Sequence, residues 1–205
     1  EQPWFLWLAY NAPHTPFHSP PSIMHNQGEL ANYSDGMDPM PYYLAAIEAM
    51  DFQIGRLLNG LTQEERDNTI ILFMGDNGTP NEVGQSPYPD NAVKGSLYQG
   101  GINVPLFVSG KGVQRTGNDY NLLTSTDLFS TIAQLAGVDS DEIHDSKSFM
   151  NLLTADDGQR AFQYSEMESP NASKWAISNG DYKLIVRANG AQELYDLLSD
   201  PYESE

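Results

Sequence analysis

Cysteine does not occur anywhere in the 205 residues. Its absence excludes a disulfide frame, a thiolate zinc site and a thiol nucleophile within this chain, and leaves the redox compartment unreadable. Cations are scarce too: 10 Lys and Arg stand against 28 Asp and Glu, a formal net charge of −18 at pH 7 with a sequence pI near 4.3. That field repels a nucleic-acid backbone or an anionic membrane, so neither is an expected partner. An anionic substrate is not excluded, because a bound divalent cation reverses the field locally. No apolar run approaches the roughly 20 residues that span a bilayer, so no membrane span is expected. Glu1 opens onto residues 3–10 without an initiator Met or a basic n-region. No signal peptide is visible, and the sequence is expected to start inside a longer coding region.

What is present suits a globular fold rich in turns: 40% hydrophobic and 11% aromatic residues, with 17 Gly and 13 Pro. The length fits one ordinary domain, or the larger part of one plus a small annex. WFLWLAY, from Trp4 to Tyr10, is apolar on both faces and bounded by Pro3 and the NAPHTP turn, which predicts a buried parallel strand with His14 just beyond its carboxyl end. Residues 13–41 show no period and predict a long irregular surface excursion. Tyr43, Leu44, Ile47, Met50, Ile54, Leu57, Leu58 and Leu61 recur at helical spacing and predict a helix over about 41–60, stopped by Gly60. TIILFM then reads as a second fully apolar strand ending in Gly75-Asp76-Asn77-Gly78, and Asn103 to Ser109 as a third, the alternation of an α/β fold. Thr124 and Asp127 form a helix-opening box ahead of the apolar face Leu128, Ile132, Leu135 and Ala136, closed by Gly137. The composition changes after residue 138, which marks the expected boundary between an α/β part (1–138) and a small module (139–205). In that module 161–166, 174–178, 181–187 and 192–195 read as short strands, with hairpin turns at Asn179-Gly180 and Asn189-Gly190.

Asp76 and Asn77 place a carboxylate and an amide carbonyl at the carboxyl end of a strand, where α/β sheets bind ligands, and hard oxygens suit Ca²⁺ or Mg²⁺. The bland alternative is a turn in which both side chains satisfy their own backbone. Asn77-Gly78-Thr79, Asn32-Tyr33-Ser34 and Asn171-Ala172-Ser173 are formal glycosylation sequons, and a glycan on Asn77 would conflict with metal binding. His14, held between two prolines, suits proton transfer or anion contact; Lys94, beside Gly95, can reach an oxyanion as a point charge. Their bland alternatives are a surface-loop histidine and a solvated lysine. His18, His25 and His144 read as ordinary loop residues, and Glu48 and Asp51 as solvated carboxylates on the long helix.

Taken in order, WFLWLAYNAPHTP, YYLAAIEAMDFQIGRLL, NTIILFMGDNG, KGSLYQGGINVPLFVSG, TDLFSTIAQLAGV and YKLIVRANGAQELYDLLSDPYE resemble the later part of the sulfatase family of the alkaline-phosphatase superfamily. The resemblance implies an α/β fold: the C-terminal part of an alkaline-phosphatase-like mixed α/β sandwich plus a small antiparallel sheet. It implies that Asp76 and Asn77 are ligands of one divalent cation, calcium with magnesium as the alternative, and that His14 and Lys94 contact the sulfate and its leaving oxygen. It also implies a sulfated small-molecule or carbohydrate substrate and a periplasmic or secreted location.

The chain departs from the family where the nucleophile should be. That group is a formylglycine made from Cys or Ser within Cys/Ser-x-Pro-x-Arg, and here the Ser-x-Pro stretches at Ser19 and Ser199 carry Ile23 and Glu203 in place of the arginine. The family's first aspartate pair is absent as well, so the nucleophile and further metal ligands are expected in an N-terminal half outside this sequence. The piece alone is expected to be inactive and to associate through an exposed sheet edge. Gln99 and Asn103 stand where many relatives have Glu and Arg, and Ser130 where Pro is common. The rival readings are a phosphonate or phosphate monoester or diester hydrolase of the same superfamily, and a non-catalytic module whose aromatics, such as Trp175 and Tyr195, bind carbohydrate.

Overall fold

The computed structural model describes residues 2–138, 144–158, 160–168 and 173–205. The polar stretch 139–143 and the start of the sequon at Asn171 lie outside the described residues. The chain divides into two compact units, Glu1–Asp67 and Asn68–Glu205.

In the first unit, helix α1 (Met40–Asn59) begins with Pro41 in its opening turn, where a missing N–H costs nothing, and a short helix α2 (Gln63–Asp67) follows. Gly60 ends α1 as expected, but with right-handed φ −76, its N–H donating to the carbonyls of Arg56 and Leu57. The buried face of α1 is Tyr42, Ala45 and Ala46, not the leucine stripe, from which Leu44 and Leu57 emerge exposed. The reason is what covers the helix. The excursion 13–41 folds back on that side: Tyr42 donates its hydroxyl to Ala31 O (3.0 Å), and the rings of Phe17, Tyr33 and Tyr42 meet edge to face at 5.4 and 5.1 Å. Glu48 is not merely solvated. It accepts the Asn26 amide and the Gln27 side chain, bonds that hold its carboxyl below the usual range. His25 is buried, donating from Nε2 to Pro20 O (3.2 Å) and accepting Gln27 N–H at Nδ1 (3.3 Å).

The expected strand over residues 4–10 is not paired. Trp4, Phe5, Leu6, Trp7 and Leu8 are each about half exposed or more, and no ladder forms on them among the described residues. An apolar run marks a segment suited to burial on both faces, but a strand exists only once neighbours supply its hydrogen bonds.

In the second unit, β1 (Ile70–Met74) pairs antiparallel with β2 (Leu106–Gly110), Leu72 opposite Val108 and Phe73 opposite Phe107. The resemblance implies a mixed α/β sandwich, to which β1 and β2 contribute an antiparallel pair. The chain between them doubles back, closing the ladder at its ends with Gly75 N–H on Pro105 O (3.0 Å) and Lys111 N–H on Thr69 O (3.0 Å). The one-turn helix α3 (Gln99–Ile102) precedes β2, and helix α4 (Asp127–Leu135) follows it. The last element is a four-stranded antiparallel meander, β3 (Gln163–Met167), β4 (Lys174–Ser178), β5 (Tyr182–Arg187) and β6 (Gln192–Asp196). Both anticipated Asn-Gly turns are present, Gly180 and Gly190 having φ +95 and +84.

Helix α4 inverts the expected burial. Asp127, Ser130 and Thr131 are buried, while Phe129 is exposed and Leu128, Ile132 and Leu135 only half-covered. The polar face is satisfied by the segment after it. Asp127 accepts Thr124 N–H and Lys147 N–H (both 2.9 Å) and pairs with the Arg160 guanidinium; Thr131 Oγ1 accepts Phe149 N–H (3.0 Å). Ser130 N–H donates to Ser146 Oγ (3.2 Å), a bond that a proline at this position would remove. Among the described residues, no helix is long and apolar enough to cross a membrane.

Candidate functional site

The turn after β1 is pinned at both glycines, which is how Asp76 and Asn77 are held. Gly75 N–H reaches Pro105 O, and Gly78 N–H reaches Gly101 O at 2.9 Å. At Gly78 the approach is so close that a Cβ would stand 1.8 Å from Gly100 O, so only glycine fits. Lys94 joins the same turn through its backbone, its N–H donating to Thr79 O (2.9 Å), and Gly95 takes φ +81 directly after it. Asn77 and Lys94 thus line one open cleft of about 490 Å³, a size that suits a small-molecule ligand. Asp76 stands beside it on the turn, exposed.

None of the three side chains is spent on the protein's own structure: Asp76, Asn77 and Lys94 carry no side-chain hydrogen bond or ion pair among the described residues. This disfavours the self-satisfied turn, in which Asp76 and Asn77 would bond their own backbone. Carboxylate and amide oxygens are the hard donors that Ca²⁺ or Mg²⁺ takes. The count is short, since no three His, Asp or Glu side chains gather as a metal cage among the described residues.

His14 belongs to the first unit. It is exposed, its N–H donates to Asn11 O (2.8 Å), and its ring Nδ1 donates to Thr15 O (2.8 Å). That bond sets the neutral tautomer and leaves Nε2 outward with its lone pair, or with a proton to give when charged.

Several cleft residues were not legible in the sequence. Ser96, Ser125, Glu166 and Met167 complete the walls. Ser96 is buried with no partner for its hydroxyl among the described residues, and Met167 lies on the strand that faces the core made by Leu97, Ala176 and Ile185. Behind that core Glu193 accepts from Tyr98 (2.7 Å), Tyr195 (3.2 Å) and Arg187 Nε (2.7 Å). Burial pulls its carboxyl upward, but these bonds and the Arg187 charge prevail and hold it below the usual range. Tyr195 is therefore tied to Glu193 and partly buried, whereas Trp175 is exposed. Serines in turns and a lone carboxylate on a short strand give no periodic signal, so only their placement against Lys94 marks them.

The chain matches the family model described as Sulfatase over residues 1–138 and the model described as N-sulphoglucosamine sulphohydrolase, C-terminal, over residues 92–205. It is 33% identical over 143 residues to the uncharacterised sulfatase YdeN of Escherichia coli K12, a match covering 67% of this chain and 24% of YdeN. It superposes on the crystal structure of Ps i-CgsB with a TM-score of 0.82 and 26% identity, covering 99% of this chain and 45% of that one; the same protein has been crystallised with k-i-k-neocarrahexaose. The phosphonate monoester hydrolase of Agrobacterium radiobacter shares the fold, with a TM-score of 0.61 and 22% identity, over 80% of this chain and 36% of that one. The chain therefore spans less than half the length of these relatives.

Proposed function

The chain belongs to the sulfatase family, and from that premise we propose that the whole protein hydrolyses sulfate esters, with these residues supplying part of the metal and sulfate site. The observation that carries the reading is the shared cleft of Asn77 and Lys94, with both side chains and that of Asp76 left free of internal partners. Lys94 holds a sulfuryl oxygen as negative charge builds on it. His14 Nε2 hands a proton to the departing alcohol oxygen. Asp76 and Asn77 hold a divalent cation, calcium with magnesium as the alternative; when bound, that ion neutralises the sulfuryl oxygens. Because Ca²⁺ takes roughly 6 to 8 oxygens, the other ligands come from the rest of the protein, as does the formylglycine nucleophile of the family. The 205-residue piece alone is accordingly inactive.

The substrate class is a sulfated carbohydrate, a reading supported by the neocarrahexaose complex of the similar Ps i-CgsB. A periplasmic or secreted setting accords with the −18 net charge. The division of the chain at residue 138 belongs to the same reading; the Sulfatase match ends there, while the N-sulphoglucosamine sulphohydrolase match crosses it, from residue 92 to 205. The second reading, a phosphonate or phosphate ester hydrolase, rests on the fold shared with the Agrobacterium enzyme.

The test is turnover by the whole protein of 4-nitrophenyl sulfate and a sulfated oligosaccharide beside phenyl phosphonate esters, with and without chelator. Sulfate release is expected to dominate, to fall on chelation, and to drop about 10²–10³-fold in kcat/KM for Lys94→Ala. Preferred cleavage of the phosphonate would give the site to the second reading; carbohydrate binding without turnover would give it to a non-catalytic module.

A further inference from the structure

Glu203 and Lys183 are the most deeply buried ion pair described, with side chains 0% and 2% exposed and Nζ 2.5 Å from Oε1. Glu203 also adopts φ +57, a left-handed conformation that costs a non-glycine residue energy. Burial pushes the Lys183 ammonium below the usual lysine range, against the pull of Glu203. A buried pair of this kind is commonly no more stable than two apolar side chains of the same volume, so stability alone does not account for it.

The other carboxylate oxygen shows what else the group does. Glu203 Oε2 accepts the backbone N–H of Gln99, which opens α3 and has no partner within that helix. From there, bonds run to the cleft. Gly101 O on α3 takes Gly78 N–H, Gly100 O lies against Gly78, and Thr79 O takes Lys94 N–H. The turn bearing Glu203 is itself built for this. Asp200 accepts Ser204 N–H (2.8 Å) and Glu205 N–H (3.2 Å), and the Tyr202 ring meets Tyr88 edge to face at 5.2 Å, while the Tyr88 ring lies against Gly100.

We propose that Glu203 is a positioning residue: anchored on β5 through Lys183, its carboxylate sets the register of α3 and thereby places Asn77 and Lys94 relative to one another. The claim about turnover rests on the sulfatase reading above; the claim about placement does not.

The experiment uses the whole protein with two variants, Glu203→Gln and the paired Lys183→Met/Glu203→Leu, read by amide hydrogen exchange, thermal midpoint, and kcat and KM on 4-nitrophenyl sulfate. The paired variant removes both charges without leaving one unpaired, so its midpoint lies above that of Glu203→Gln. It still lacks the acceptor for Gln99. Faster exchange is therefore expected over 76–79 and 94–101 with β4–β6 unchanged, and a kcat reduced roughly 10–100-fold. Should Glu203→Gln fail to fold, the paired variant carries the test. Recovery of kcat together with the midpoint would reduce the pair to a structural element and overturn the proposal, as would unchanged exchange over 76–79 and 94–101. If the parent protein turns over no sulfate ester, the exchange result still decides the placement, and the failure belongs to the functional reading.

Discussion

Replacing Gly78 by alanine tests whether close packing of the Asp76–Asn77 turn on α3 builds the site. The added Cβ would lie 1.8 Å from Gly100 O, 2.8 Å from Gly100 C and 2.9 Å from Gly101 Cα, all backbone atoms that cannot rotate away. An ordinary carbon–oxygen contact is about 3.3 Å, so turn and helix must part by about 1.5 Å. That separation breaks the 2.9 Å bond from Gly78 to Gly101. Leaving those groups unpaired costs about 1–3 kcal/mol, and residual overpacking adds about 1–3 kcal/mol. A shift of that size at a binding group is worth on the order of 10²-fold in rate. The assay is urea denaturation and kcat/KM on the whole protein, with Gly84→Ala as the comparison, since a Cβ there meets nothing closer than 3.4 Å. Gly84→Ala should stay within about 0.5 kcal/mol. If the two variants share one unfolding midpoint and one kcat/KM, the packing argument for the site is wrong.

Gly55 lies inside α1 with open space where its Cβ would be, so Gly55→Ala should raise stability by about 0.5–1 kcal/mol, visible as a higher urea midpoint. Asp127→Ala strips Arg160 and two backbone amides of their acceptor inside the protein and should cost about 3–5 kcal/mol in the same measurement. Glu193 has a folded pKa below its ordinary 4.5, so its contribution is present above that value and is lost as pH falls through the lower folded one. Glu193→Gln should therefore flatten the stability profile of the parent as pH falls below 4.5 while lying below it at pH 7; a parallel profile would refute the sign.

Local features were legible in the sequence wherever they depend on neighbours along the chain. The extent of α1, the short strands of the C-terminal sheet and its Asn-Gly turns follow from periodicity and from the φ > 0 that glycine admits, and the structure contains them. The motif order likewise pointed to the sulfatase family, and Asp76, Asn77 and Lys94 could be named because they stand beside glycines in turns and, for Lys94, because cations are scarce in this chain. Burial was less legible. The leucine stripe of α1 and the apolar side of α4 are half exposed, while Tyr42, Asp127 and Thr131 lie inside, because the covering segments arrive with hydrogen-bond partners for those faces.

By itself, then, the sequence determined α1, α4 and the C-terminal hairpins, the acidic field, the absence of a thiol and the residue types of the site, but not α2 or α3. Tertiary structure alone decided that β1 pairs antiparallel with β2, that Lys94 shares a cleft with Asn77, and that Glu203 lies in the interior against Lys183 and Gln99. Periodicity reports a residue's neighbours three or four positions away. Backbone carbonyls and carboxylates meet partners from distant parts of the chain, and those pairings are settled only when every buried polar group must find one.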